Sequence, residues 1–335
     1  LGSDADFAEA ARACRRHDVN LSAFISCLML SEPTASRYGL DPSDRSRPTG
    51  QGWTYHAEMV PTFNPPSAAA PATDEGDNGN PDWQRDVLAT LDDLMRSGIT
   101  SFVWDVFRSR REEPNLLTLA AEIRTRARRR DPDSVFAGES TQNLEIESGI
   151  LDYTWDWRGY RDYRPFLAAF PAPRLNINID RSAALVRRGF ADNLYLNVMP
   201  RRPGGINGSG RIADHPDLAR ALARCAALRR RFLPFFTEGT MVGDSLLTET
   251  PGDQHLTAYA LPDRLLAIRM ALRDGADDPL EGDIAPWLPS PTNRYDVTAM
   301  DESGSILSRR VTDRVWREPA GPGETELRLY EFRPA

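Results

Sequence analysis

Apolar positions along the chain change their spacing twice. Residues 5 to 17 carry them at helical intervals, and residues 19 to 29 (VNLSAFISCLM) form a nearly continuous apolar run that reads as a buried strand. A stretch rich in Pro, Gly, Asn and Ser occupies residues 30 to 80 and contains the aromatic cluster Trp53, Tyr55, His56 and Phe63. A connection of that length is an insertion, not a turn. From Pro81 the rhythm is regular. Helical text to Arg96 is closed by Gly98 and followed by the strand TSFVWD. A helix from Asn115 to Arg130 then leads to SVFAGE, and ILDYTW, RLNINI and NLYLNVM follow with helices between them. A Gly-rich loop, Arg201 to Gly210, precedes a long helix from Pro216 to Phe236. Strands alternating with helices predict a parallel sheet, and apolar strand texts predict burial on both faces.

Beyond Glu238 the spacing becomes two. LTAYAL, RLLAIRMAL, RYDVTAMD, SILSRRV, DRVWRE and ELRLYEF read as antiparallel strands, separated by turn signals such as Asp274-Gly275 and Glu302 to Gly304. The pattern predicts a (β/α) TIM-type barrel over residues 1–238, with a long loop insertion at 30–80, followed by an antiparallel β-sandwich over 239–335. An open doubly wound sheet is the competing architecture. It usually carries a G-x-G-x-x-G loop after its first strand, and no such junction occurs here. If NLYLNVM is the eighth barrel strand, VNLSAFISCLM is the third, so strands one and two are expected before Leu1, or the barrel is a reduced one.

Composition narrows the chemistry. The 335 residues contain no lysine, so all 41 basic residues are arginine. Schiff-base aldolases, pyridoxal-phosphate enzymes and Walker-type nucleotide sites each need a lysine amine, and none can be built from this chain. Cys14, Cys27 and Cys225 are odd in number and widely spaced, and read as buried free thiols. His17, His56, His215 and His255 show no ligand spacing, so neither a metal nor a cofactor is expected. A net charge of −8 argues against a nucleic-acid partner. No apolar run is long enough to cross a bilayer, so no membrane partner is expected and the chain reads as soluble.

Taken together, strands ending in carboxylates (FVWD, FAGE, YTWDW), the last helix DLARALARCAALRRRFLPFFTEG and the strand texts RLLAIRMAL and YDVTAMDESGSI resemble the back end of a barrel glycoside hydrolase. The resemblance spans nearly the whole chain and is one of layout. The α-amylase superfamily places a nucleophilic Asp after strand four and an acid/base Glu after strand five, with a long insertion after strand three. By position the resemblance implies Asp105, Glu139 and the 30–80 segment. The α-galactosidase-like group shares the strand-four Asp and takes its acid/base Asp after strand six, which implies Asp156. The chain departs from the amylase pattern at Val103, where those enzymes have Arg, and at Asp180-Arg181, where they have His-Asp.

Glycosidic cleavage needs one carboxyl to protonate the leaving oxygen and a second to meet the developing cation or activate water. Asp105 and Glu139 on adjacent strands suit a retaining pair, with Asp156 as the alternative partner. Each also has a plainer reading: Asp105 as a helix cap, Glu139 in an ion pair, Asp156 in a hydrogen bond of its own loop. Sugars present flat CH faces that aromatic rings cover. Trp53, Tyr55, Trp104, Trp155 and Trp157 are the expected pocket walls, with His56 and Arg181 as polar contacts and Gly138 leaving room for a ligand. The expected partner is a carbohydrate. The alternative function is a noncatalytic, carbohydrate-binding barrel.

Overall fold

The computed structural model describes residues 3–25, 30–31, 51–53, 62–64, 81–104, 107, 114–139, 147, 149–155, 162–170, 175–179, 182–197, 212–249, 252–273, 278–319 and 326–335. The chain divides into two compact units, Leu1–Asp156 and Trp157–Ala335.

In the first unit, helix α1 (Asp4–Arg15) begins at a capping box, in which the Ser3 hydroxyl accepts from the Asp6 N–H and the Asp6 carboxylate accepts from the Ser3 N–H. Strand β1 (Ser22–Ile25) follows. Helix α2 (Pro81–Arg96) ends before Gly98, which takes the left-handed φ of 98° that favours glycine. Strand β5 (Ser101–Trp104), helix α3 (Pro114–Arg130), strand β6 (Phe136–Glu139) and strand β7 (Tyr153–Trp155) complete the run. The four strands form a parallel sheet in the order β1-β5-β6-β7, which is sequence order, as a barrel wall requires. Val87, Leu91 and Met95 of α2 and Leu119, Ile123 and Ala127 of α3 recur at helical spacing and bury Phe102, Trp104 and Phe136 of the sheet. The insertion contributes a small antiparallel sheet that its loop-like composition did not announce: β2 (Leu30–Ser31), β3 (Gln51–Trp53) and β4 (Thr62–Asn64), with β4 central.

The second unit opens with helix α4 (Arg164–Ala169). A parallel pair follows, β8 (Asn176–Asn178) and β9 (Tyr195–Asn197), joined by helix α5 (Ala183–Ala191). Helices α6 (Pro216–Arg231) and α7 (Leu233–Thr237) come next. All six expected βα strands are therefore present. Among the described residues, however, they form a four-stranded and a two-stranded parallel sheet and close no barrel. β7, β8 and β9 are three residues each.

The C-terminal part is antiparallel. Strands β10 (Thr240–Gly243), β11 (Gln254–Leu261), β12 (Arg264–Ala271), β14 (Arg294–Asp301), β15 (Ile306–Asp313) and β17 (Arg328–Pro334) form one sheet in the order β10-β11-β12-β17-β14-β15. β13 (Leu280–Asp283) pairs separately with β16 (Val315–Glu318). Trp316 and Leu280 of that pair join Leu256, Leu265, Val297, Tyr330 and Phe332 in one core cluster on one face of the large sheet. The other face meets helices: the Tyr259 hydroxyl donates to Ala191 O at 2.7 Å, and its ring lies 5.2 Å from that of Phe236. Covered on both sides, β11 and β12 are buried almost throughout, so RLLAIRMAL shows no true alternation.

Cys225 is buried in α6, where desolvation pushes its thiol up to about 12; Cys14 is half-buried, and Cys27 lies outside the described residues. No helix of the described residues is long and apolar enough to cross a membrane.

Candidate functional site

The carboxyl ends of β1, β5, β6 and β7 lie side by side, and their register fixes which residues are neighbours. Ile25 pairs with Trp104, Trp104 with Gly138, Gly138 with Thr154, and Glu139 with Trp155. Paired residues of a parallel sheet share a face, and successive residues of a strand alternate. Phe102, Trp104 and Phe136 belong to the core under α2 and α3. Ala137 and Glu139 therefore belong to the opposite face. Glu139 stands at the very end of β6 and is 6% exposed.

The same alternation corrects two expectations. Trp104 is fully buried, edge-on to Phe107 at 5.5 Å and to Phe136 at 6.2 Å, so it belongs to the helix-side core and does not wall a pocket. Its indole Nε1 has no hydrogen-bond partner among the described residues. Gly138 does not leave room for a ligand. A Cβ there would stand 2.8 Å from Phe107 Cβ and 2.9 Å from Leu151 Cδ1, so the glycine admits core side chains.

Asp105, Asp156, Tyr55, His56, Trp157 and Arg181 lie outside the described residues. The backbone of Trp53 pairs with Thr62 in the insertion sheet, and that of Trp155 with Glu139.

Two further polar groups lie in the second unit. In the β8–β9 pair, Asn178 is the register partner of Asn197 and Ile177 that of Leu196. Ile177 and Leu196 press on the Cα of Gly189 in α5, which leaves Asn176, Asn178 and Asn197 on the face away from that helix. RLNINI is buried throughout its described residues, as its strand text predicts. The alternating N-I-N-I text was the available signal that one face carries carboxamides. Asp192, which ends α5, has an Oδ1 that takes hydrogen bonds from His255 Nε2, at 2.8 Å, and from the Thr257 hydroxyl. All three residues are at most 2% exposed, so the cluster pins α5 to β11 in the interior. Nearby, the Arg164 guanidinium holds the Asp162 carboxyl below the usual range and donates to Leu256 O at 2.8 Å. Among the described residues, no three His, Cys, Asp or Glu side chains converge as a metal site requires.

No protein-family model and no curated protein matches the chain. Solved structures do. An alpha-amylase from Anoxybacillus is similar with a TM-score of 0.66 at 10% identity, over 100% of this chain and 80% of that one. The alpha-amylase of Geobacillus thermoleovorans, solved with acarbose, gives 0.61 at 12% identity over 99% and 81%. A β-L-arabinopyranosidase from Geobacillus stearothermophilus gives 0.60 at 7% over 98% and 77%. At such identities the likeness is one of fold alone: the neighbours are barrel glycoside hydrolases with a C-terminal sheet domain, and the described residues of this chain share their parallel strands and antiparallel C-terminal sheet without closing a barrel.

Proposed function

We propose that the protein is a glycoside hydrolase that cleaves by two carboxylates, with Asp105 as nucleophile and Glu139 as general acid/base. The observation that carries this reading is the position of Glu139, at the carboxyl end of β6 on the face turned away from the covering helices. Ligands of α/β barrels bind at the carboxyl ends of the strands. Trp104 pairs with Gly138, and Asp105 and Glu139 are the residues that follow this pair in the sequence. Asp156 is a weaker partner, because the residue in register with Glu139 is Trp155.

In this mechanism the Asp105 carboxylate attacks the anomeric carbon while Glu139 gives its proton to the leaving oxygen. Glu139, now ionised, deprotonates the water that releases the sugar from Asp105, so the configuration is retained. Two carboxyls and a water complete the cycle, and no cofactor takes part. Trp53, Tyr55, Trp155 and Trp157 supply apolar walls in this reading, His56 binds a hydroxyl group, and Arg181 orients a carboxylate. Residues 1–238 serve as the catalytic portion and 239–335 as an accessory β-sandwich.

A panel of nitrophenyl glycosides, hydrolysed with wild type and with Asp105→Asn, tests the proposal. Wild type is expected to release nitrophenol from at least one glycoside, and Asp105→Asn to lose that release with its circular dichroism and melting temperature unchanged. Sugar binding by calorimetry without turnover on any glycoside would replace the proposal with the noncatalytic one.

A further inference from the structure

The large C-terminal sheet ends on two strands that differ as edges. At one end β10 has four residues, and a bulge interrupts its pairing with β11; both features blunt an edge against further pairing. At the other end β15 runs for eight residues without a proline. It pairs with β14 on one side and has no strand on its other side among the described residues. An edge of that length presents a row of backbone donors and acceptors to another strand.

The two faces of β15 carry different residues. Arg310 is in register with Val297, a member of the core cluster, and its guanidinium is bound by Glu318, so it belongs to the covered face. Arg309, Val311 and Asp313 are in register with Thr298, Asp296 and Arg294 and belong to the opposite face. All three are exposed, Val311 to 48%. The neighbouring arginines have carboxylate partners: Arg310 has Glu318, Arg314 has Asp283, Arg317 has Glu281 and Arg333 has Glu331. Arg309 and Asp313 enter no ion pair among the described residues. They cannot serve each other, because four residues along a strand separate them by about 13 Å.

We propose that β15 pairs antiparallel with β15 of a second copy of this chain, about a two-fold axis at Val311. Such an interface is isologous, so each contact occurs twice. Counting outward from Val311 sets Arg309 opposite the second copy's Asp313 and Asp313 opposite its Arg309, with the two Val311 side chains in contact between them. Opposite charges and apolar pairs set directly across two strands stabilise the pairing, and like charges there oppose it. The text R-x-V-x-D is thus its own complement when read antiparallel. A two-fold at Arg309 or at Arg310 would oppose two arginines, so the charges select the register centred on Val311. The two six-stranded sheets then become one continuous sheet.

Sedimentation velocity of the full chain, from low to high micromolar concentration in low salt, tests this. Wild type is expected to pass reversibly from monomer to dimer, and less so as sodium chloride rises, because exposed charges are screened. Arg309→Asp and Asp313→Arg each set like charges across the axis twice, so each should weaken self-association at least about tenfold. Mixed in equal amounts, the two variants should dimerise with each other, because the mixed pair sets two acidic groups of one chain against two basic groups of the other. Both positions are exposed, so the circular dichroism of each variant should match that of wild type. A wild type that stays monomeric throughout, self-association that either single variant retains, or no dimer in the mixture would overturn the proposal.

Discussion

Trp104 and Glu139 end neighbouring parallel strands one register step apart, yet they belong to opposite faces of the sheet. Trp104 sits under the helices with Phe136 and Phe107, and Glu139 turns the other way. Two neighbouring strand ends thus serve two purposes: an aromatic anchor fixes β5 against α2 and α3, and the residue one step beyond its register partner carries the candidate chemistry.

That packing leaves Gly138 no room for a side chain. In Gly138→Ala the new methyl group would overlap Phe107 and Leu151, both core residues with no solvent to retreat into. Overpacking of this kind costs about 1–3 kcal/mol. Urea unfolding of the variant should show a loss of that size, and an unchanged midpoint would mean that the two side chains yield freely.

In the second unit Asp192 is the buried pin between α5 and β11. Asp192→Ala removes the buried carboxylate that His255 and Thr257 share, and losing a hydrogen bond to a charged group costs about 1.5–3 kcal/mol. The variant is expected to melt well below wild type. Asp217→Ala, which removes an exposed i,i+3 ion pair of α6, should stay within about 0.5 kcal/mol of it. Equal effects from the two substitutions would contradict the pinning role.

Acid should loosen the first unit through Asp131. Its carboxylate accepts from the Thr100 hydroxyl at 2.7 Å, from Arg15 Nη2 at 2.8 Å and from Asp133 N at 3.1 Å, linking α1 to the base of the parallel sheet. The Thr100 hydrogen bond is the main cause that holds its pKa below the usual value. A depressed folded pKa means stability that is fully present above the unfolded value of about 3.9 and is lost as pH falls through the folded one. The stability gap between wild type and Asp131→Asn should therefore be constant from pH 7 to 5 and shrink below pH 4, as read from urea unfolding at each pH. A gap that persists undiminished at pH 3 would reverse the assignment.

Much of the fold was legible in the chain, because FVW, FAGE, YTW, NIN and YLN are apolar or alternating texts between clear helices, and each became a strand. Glu139 was legible for the same reason: it closes a strand. The insertion sheet was hidden, since its strands of two and three residues carry too little pattern to separate them from loop. β13 was missed because Leu280 to Asp283 gains its stability from pairing with the distant β16, which local spacing cannot reveal. The error at Trp104 was avoidable. Adjacent residues of a strand face opposite sides, so Trp104 and Asp105 could not both serve one cleft while the strand continued. Gly138 was misread for want of the same test, because a glycine beside a core tryptophan in register answers to packing before ligands.

The most direct test of the central claim is the leaving-group dependence of Glu139→Gln. A general acid is needed most where the leaving oxygen is a poor acid, and least where it leaves without a proton. On a pair of glycosides of one sugar, the first with a dinitrophenyl leaving group and the second with an alkyl one, kcat/KM for glycosylation should fall by about 10²–10⁴ on the alkyl glycoside and little on the dinitrophenyl one. The unfolding midpoint should stay near that of wild type. An equal loss on both substrates, or full activity on the alkyl glycoside, would contradict the assignment of Glu139 as the catalytic acid.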